Sequence, residues 1–263
     1  MAAPSRNVAL VTGASSGIGL ELSRLLARDH HDLVIVAQQV EPLDRAAREL
    51  RSHGARVVEI ATDLSHPAAP VEIAAELGRQ GLVVDVLVNN AGFGLQGRFV
   101  ALELGEQLRM VDLNVKAVTH LTGLLLRGMV ERRRGRVLNV ASTAAFQPGP
   151  LMAVYYATKA YVLSFSEALA TETAGTGVTV TALCPGPTAT SFEKRAGLEG
   201  RLLFRGPVMD AAVVARQGYL GMQRGDRVVV PGLRNRIRRE LVRFFPRGLV
   251  LGAVRALHDR SPN

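Results

Sequence analysis

The feature that most narrows the folds open to this 263-residue chain is a regular alternation of short, nearly all-apolar runs with longer helical patterns. The runs are VALVT (8–12), LVIVA (33–37), RVVEI (56–60), DVLVN (85–89), RVLNVA (136–141), VTVTAL (178–183) and RVVV (227–230). A strand that faces water on one side alternates apolar and polar residues. A strand that is apolar throughout is buried on both faces, as in a parallel sheet covered by helices. The intervening segments predict helices over 17–29, 42–53, 68–80, 103–131, 152–174 and 209–223, two of them opened by Glu41-Pro42 and His66-Pro67. A βα series of this length predicts a single α/β domain with a doubly wound sheet of seven strands flanked by helices. Such sheets bind ligands at the carboxyl ends of their strands, so the loops just after the strands are where function is sought.

Composition sets further limits. Hydrophobic residues make up 48% of the chain, enough for a sizeable core. A single cysteine, Cys184, excludes an intrachain disulfide and fits a reducing compartment. The start, MAAPSRNVALVTG, lacks a charged segment followed by an apolar one, so no secretory signal is expected. No apolar run reaches the roughly 18 residues of a membrane span, and the expected location is cytoplasmic. The net charge of +9 is concentrated in the tail. Residues 233–263 hold eight arginines (Arg234, Arg236, Arg238, Arg239, Arg243, Arg247, Arg255 and Arg260) against Glu240 and Asp259, six of the nine net charges. The body is therefore near neutral, and nucleic acid is not an expected partner.

After the first strand comes TGASSGIG (12–19), with Gly13, Gly17 and Gly19 at a strand-to-helix turn. Glycines there let the backbone bend tightly and approach a pyrophosphate, which the helix N-terminus then holds. The spacing is G-x-x-x-G-x-G. Further motifs follow in order: Asp63-Leu64 after the third strand, NNAG (89–92) after the fourth and Asn114 inside the fourth helix. Ser142 follows the fifth strand, Tyr155-x-x-x-Lys159 lies thirteen residues on, and PGPTAT (185–190) follows the sixth strand. Over about residues 8–230 this series resembles the short-chain dehydrogenase/reductase family.

The resemblance implies a Rossmann-like sheet of order 3-2-1-4-5-6-7 and an NAD(P)-dependent oxidoreductase acting between a carbonyl and an alcohol. Reducing a ketone leaves negative charge on its oxygen, which the catalyst must stabilise and protonate. Tyr155 can do both if a cation lowers its pKa from about 10, and Lys159, four residues on, shares its helix face. By resemblance Lys159 also binds the nicotinamide ribose, Ser142 donates to the substrate oxygen, and Asn114 holds a water linking Lys159 to solvent. The cofactor residues implied are Gly13, Ser15, Ser16, Gly17, Ile18, Gly19, Gln38, Asp63, Leu64, Asn90, Ala91, Gly92, Tyr155, Lys159, Pro185, Gly186, Thr188 and Thr190. Asp63 would accept from the adenine amino group, and Thr188 and Thr190 would hold the carboxamide. Tyr156 and Tyr161 read as packing residues, Cys184 as a buried structural thiol. No metal is expected.

The second strand ends in Ala37, Gln38 and Gln39. A carboxylate there would hold the ribose hydroxyls of NAD and repel a 2′-phosphate. None is present, nor is an arginine, Arg45 and Arg48 lying further along the helix; NADP(H) is expected over NAD(H). Phe93, Leu95, Phe146 and Met152 would line an apolar pocket without a cationic cluster, which suits a lipophilic ketone or 3-oxoacyl compound. The alternative is a catalytically weak member of the same fold acting as a nicotinamide-binding scaffold. Residues 1–232 would form the dinucleotide-binding and catalytic domain, with a substrate lid at about 190–208 that includes Leu198, Leu202, Leu203 and Phe204. Residues 233–263 would form a basic amphipathic extension whose helix, 244–257, places Val250, Val254 and Leu257 on one face. That helix is expected to dock on its own or a neighbouring subunit, with an anionic membrane as the alternative. By family resemblance the helices 103–131 and 152–174 would form a homo-oligomer interface.

Overall fold

The computed structural model describes residues 6–198 and 208–258. Seven parallel strands form one sheet in the order β3-β2-β1-β4-β5-β6-β7. They are β1 (Val8–Thr12), β2 (Asp32–Ala37), β3 (Val57–Ala61), β4 (Val84–Asn89), β5 (Gly135–Val140), β6 (Val178–Leu183) and β7 (Val228–Val229). The apolar runs are explained by the pleat, because successive side chains serve opposite cores. Ala9, Val11, Leu33, Ile35, Val86 and Val88 enter one core. Their neighbours Val8, Leu10, Val34, Val36 and Leu87 enter the other. On the first face lie α1 (Gly17–Arg28), α2 (Val40–Ser52) and, from late in the chain, the helix Ala211–Arg224, through Leu22, Leu26, Leu43, Leu50, Val214 and Met222. The second face is covered by α3 (Ala69–Arg79) and α5 (Val118–Glu131) through Ile73, Leu77, Leu121 and Met129.

The predicted helix 103–131 is present as a continuous helical stretch over 104–131, with a widened turn inside it. Helix α4 (Leu104–Val111) is capped by Glu103, which accepts from the amides of Gly105 (3.0 Å) and Glu106 (2.7 Å). A π-helical turn, Asp112–Ala117, joins it to α5. The widened turn carries Asn114, whose side chain is tied to the backbone of Phe93 rather than to its own helix. A hydrophobic-period reading cannot register one extra residue in one turn. Helix α6 (Ala153–Glu172) carries Tyr155 and Lys159, and α7 (Phe192–Arg195) follows β6. The helix Ala211–Arg224, here α8, is capped by Asp210 and closed by Gly225 at φ +75.

The tail departs from expectation. It forms two helices, α9 (Leu233–Phe244) and α10 (Arg247–His258), in place of one over 244–257. Pro246 lacks an amide proton and disfavours helix at Phe245, so α9 ends before it and α10 starts after it. Helix α10 packs on the body of its own chain. Val250 and Val254 share a cluster with Met110, Met152, Tyr155, Tyr156 and Leu198. Of the segment read as a lid, Ala196 and Leu198 are buried in that cluster and Phe192 packs beside Tyr155, ring centroids 5.4 Å apart. Leu202, Leu203 and Phe204 lie outside the described residues. Among the described residues no helix is long and apolar enough to cross a membrane.

Candidate active site

The strand order reverses between β1 and β4, and a cavity of about 910 Å³ opens at the carboxyl ends on either side of that point. Its first end is built by the glycine turn. Gly13 (φ +63) and Gly17 (φ +55) hold backbone angles that a side chain resists. A Cβ on Gly13 would lie 2.8 Å from Asn90 Nδ2. Asn90 is the reason for that closeness: its amide donates to the carbonyls of Thr12 (2.9 Å) and Gly13 (3.1 Å). The Thr12 hydroxyl in turn receives the amides of Asn90 (2.9 Å) and Ala91 (3.0 Å). Two loops remote in sequence thus form one cradle.

Ser15, Ser16, Gly17, Ile18, Gln38, Asp63, Leu64, Ala91 and Gly92 line the cavity from this end, with Pro185, Gly186, Thr188 and Thr190 across from them. Gly19, expected to touch cofactor, is not in that lining. It is buried in α1, where a Cβ would meet the Gly13 carbonyl at 2.3 Å; it packs the turn instead. Gln38 donates to Asp63 (3.0 Å). Burial pushes the Asp63 carboxyl up, but bonds from the Ser65 hydroxyl (2.7 Å) and amide (2.9 Å), with Arg109 nearby, outweigh it and hold it below the usual range. Arg45 and Arg48 do not line the cavity.

At the other end, Ser142, Tyr155 and Lys159 share one wall. Ser142 caps a short 3₁₀ turn after β5, its hydroxyl accepting from the Ala144 amide (3.1 Å). The Lys159 ammonium is buried and donates to the Val140 carbonyl (2.8 Å) at the end of the same strand. Burial pushes Lys159 down to about 8. The expectation that Lys159 lowers Tyr155 is not met in this geometry. Burial pushes Tyr155 up to about 12, and the opposing influence is the Ser142 hydroxyl. The Lys159 ammonium sits 5.9 Å from the Tyr155 ring centroid and is engaged by the Val140 carbonyl. Asn114 lies behind the wall. Its amide donates to Phe93 O (2.9 Å) and Thr158 Oγ1 (3.1 Å), and its oxygen accepts from Phe93 N (3.2 Å). Asn114 and Lys159 converge over Gly92, where a Cβ would lie 2.9 Å from Asn114 Oδ1 and 3.5 Å from Lys159 Nζ.

Several residues that sequence reasoning did not single out belong to this site. Tyr156, read as packing, is buried, but its hydroxyl reaches the cavity wall and meets His258 Nε2 of α10 at 2.7 Å. Nothing in sequence links positions 102 residues apart. Phe93, Leu95, Phe146 and Met152 line the cavity as expected, but so do Arg109, Arg195, Arg238 and Arg239. Arg109 pairs with Glu106 (2.9 Å) and Arg239 lies 5.1 Å above the Phe146 ring. Tyr161 stays at the surface, bonded to Thr119 (2.8 Å) and stacked on Phe165. Cys184 is fully buried, and burial pushes its thiol up to about 12, which removes it as a nucleophile. Among the described residues no His, Cys, Asp and Glu cluster could hold a metal.

The cradle fits a dinucleotide. It offers glycines where a Cβ would intrude, a helix N-terminus, and polar groups at both ends of the cavity. The short chain dehydrogenase family matches residues 7–199. A ketoacyl reductase ascribed to the monensin polyketide synthase of Streptomyces virginiae is 39% identical over 203 residues, 74% of this chain and 76% of its own length. A short-chain dehydrogenase from Sphingobium yanoikuyae, solved with NADPH, superposes with a TM-score of 0.82 at 33% identity, over 93% of this chain and 95% of that one. An alcohol dehydrogenase from Comamonas testosteroni, specific for bulky-bulky ketones, gives a TM-score of 0.76 at 30% identity, over 91% and 95%.

Proposed function

This chain belongs to the short-chain dehydrogenase family of oxidoreductases, and on that premise we propose that it is an NADP(H)-linked reductase of bulky, lipophilic ketones or 3-oxoacyl compounds. The observation that carries the reading is the convergence of Ser142, Tyr155 and Lys159 on one wall of the cavity whose far end is the glycine cradle. When bound, the nicotinamide supplies or accepts the hydride. The chain does the rest. Gly13, Ser15, Ser16, Gly17 and Ile18 would hold the pyrophosphate side, Asp63 and Leu64 the adenine, and Asn90, Ala91 and Gly92 the adjoining ribose. Thr188 and Thr190, after β6, would hold the carboxamide, and the Lys159 ammonium the second ribose.

In reduction Ser142 donates to the substrate oxygen and Tyr155 delivers a proton to it from its hydroxyl. Burial pushes the Tyr155 pKa up to about 12, so its hydroxyl carries the proton at neutral pH. Lys159 and Asn114 converge over Gly92, which supports a relay through them that replaces the proton. Phe93, Leu95, Phe146 and Met152 give the substrate an apolar wall, and the ketone specificity of the Comamonas relative supports a bulky substrate. NADP(H) preference is supported by the absence of a carboxylate at Gln38 and Gln39 and by the NADPH bound in the Sphingobium relative. A homo-oligomer through α4–α6 and a place in the reducing cytoplasm complete the proposal; exposed Leu104, Leu108 and Leu124 support the first.

NADPH consumption across a panel of bulky ketones and 3-oxoacyl thioesters tests it. Tyr155→Phe should lower kcat by about 10²–10⁴ while NADPH still binds. A wild-type protein that binds NADPH and reduces nothing in the panel, like its Tyr155→Phe variant, would reduce it to a cofactor-binding scaffold. Comparing kcat/KM with NADH settles the cofactor.

A further inference from the structure

One side of helix α9 is seated on the molecule. Val242 packs against the cluster around Met152, and Arg239 covers Phe146. The other side is apolar and exposed: Leu233 is 70% accessible, Ile237 50%, Leu241 47% and Phe244 81%. At roughly 100° per residue these four fall within an arc of about 80°. On either side of Pro246, Phe245 and Leu249 are exposed as well. Charge is arranged around this stripe. Arg234 and Arg238 fall on one flank and Arg236 and Arg243 on the other, while Arg247 opens α10 beside it. Over residues 233–258 seven arginines face a single acidic residue, Glu240, which is already engaged by Arg239 (3.3 Å) and Arg243 (3.4 Å).

We propose that this face of α9 and the turn into α10 dock on an anionic membrane surface. The stripe enters the headgroup boundary and the flanking arginines meet lipid phosphates, as a basic amphipathic helix lying in the interface does. Charge selects lipid over a second copy of this chain. A twofold contact would set this arginine-rich face against itself, and its one carboxylate is taken. The cavity points the same way. Leu241, Phe245 and Leu249 belong both to the exposed face and to the cavity lining, so the mouth opens where the face meets its partner. A lipophilic substrate then enters from the bilayer without crossing water. That consequence rests on the reductase reading; the docking does not.

The test is co-sedimentation of the full chain with phosphatidylcholine vesicles, with and without phosphatidylserine, alongside gel filtration. Wild type should sediment with anionic vesicles, weakly with neutral ones, and less as salt is raised. Arg234→Gln with Arg247→Gln should lower anionic partitioning about 30-fold, roughly a factor of five per arginine. Ile237→Gln with Phe244→Gln should lower it at least about tenfold. All four residues lie outside the cavity lining, so NADPH binding and Tm should hold in both variants and report that each is folded. Wild type that sediments with neither vesicle, or equally with both, overturns the proposal. So does an oligomer that Ile237→Gln with Phe244→Gln reduces to a smaller species, which would place a second copy on this face. Loss of ketone turnover with sedimentation intact would sink only the reductase reading.

Discussion

Replacing Lys159 by methionine should stabilise the protein while disabling it. The side chain is 6% exposed, and burial pushes its pKa from 10.5 down to about 8. At about 1.4 kcal/mol per pH unit, carrying the ammonium in the folded state costs about 3 kcal/mol at neutral pH. Methionine fills similar volume without charge, but it leaves the Val140 carbonyl without the 2.8 Å bond that Lys159 donates, a loss of about 1 kcal/mol. The net expectation is a variant more stable than wild type by roughly 2 kcal/mol at pH 7. The sign also fixes a pH dependence. With the folded pKa below the unfolded one, the unfolded state binds more protons between about 8 and 10.5, so wild-type stability rises across that window. The cost is fully present below it and gone above it, so the advantage of the variant should nearly vanish by about pH 10. Urea unfolding of both proteins at the two pH values, without cofactor, measures this, and NADPH-dependent reduction should fall at least about 100-fold. A variant less stable than wild type at pH 7, or a gap that does not close with pH, would refute the account of Lys159 as a buried cation kept for function at a cost in stability.

Other outcomes follow from the same geometry. Tyr156→Phe removes the 2.7 Å bond to His258 and should cost about 1–3 kcal/mol, loosening α10; thermal melts and faster tryptic cleavage in the tail would show it. Because α10 lines the substrate end of the cavity, KM should rise more than kcat falls. Gly13→Ala puts a Cβ 2.8 Å from Asn90 Nδ2 at φ +63; it should lose about 1–2 kcal/mol and weaken NADPH binding, read by nicotinamide fluorescence. Cys184, buried with its thiol pushed up to about 12, should resist iodoacetamide at pH 8 in the folded protein and react in denaturant.

Much of the site was legible because it is local. The turn at Gly13 and Gly17 needs positive φ, and only glycine takes it freely, so its spacing is written in one short stretch. Tyr155 and Lys159 share a wall because four residues in a helix return to the same face. The two-faced apolar strands announced a buried parallel sheet, and its order follows as the family resemblance implied. Where the reading fell short, the cause was a contact between distant segments. Asn114 lies in a π turn held by Phe93, a loop residue 21 positions earlier. The same holds for Asn89, which bonds Asn139 on the next strand (2.8 Å), which in turn bonds Ser166 on α6 (2.9 Å).

By itself, then, the sequence determined the strands, the glycine turn, the Tyr155–Lys159 pair and the dinucleotide-type cradle, because period, backbone angle and helical spacing act over a few residues. Tertiary structure alone decided the electrostatics and the substrate end. Burial depends on what packs around a group, so it set Tyr155 near 12 and Lys159 near 8 against the simple expectation from their proximity. It also brought α10 across the cavity to place His258 on Tyr156, and left the apolar stripe of α9 facing outward beside the cavity mouth. Those are properties of which surfaces meet, and no stretch of chain encodes them alone.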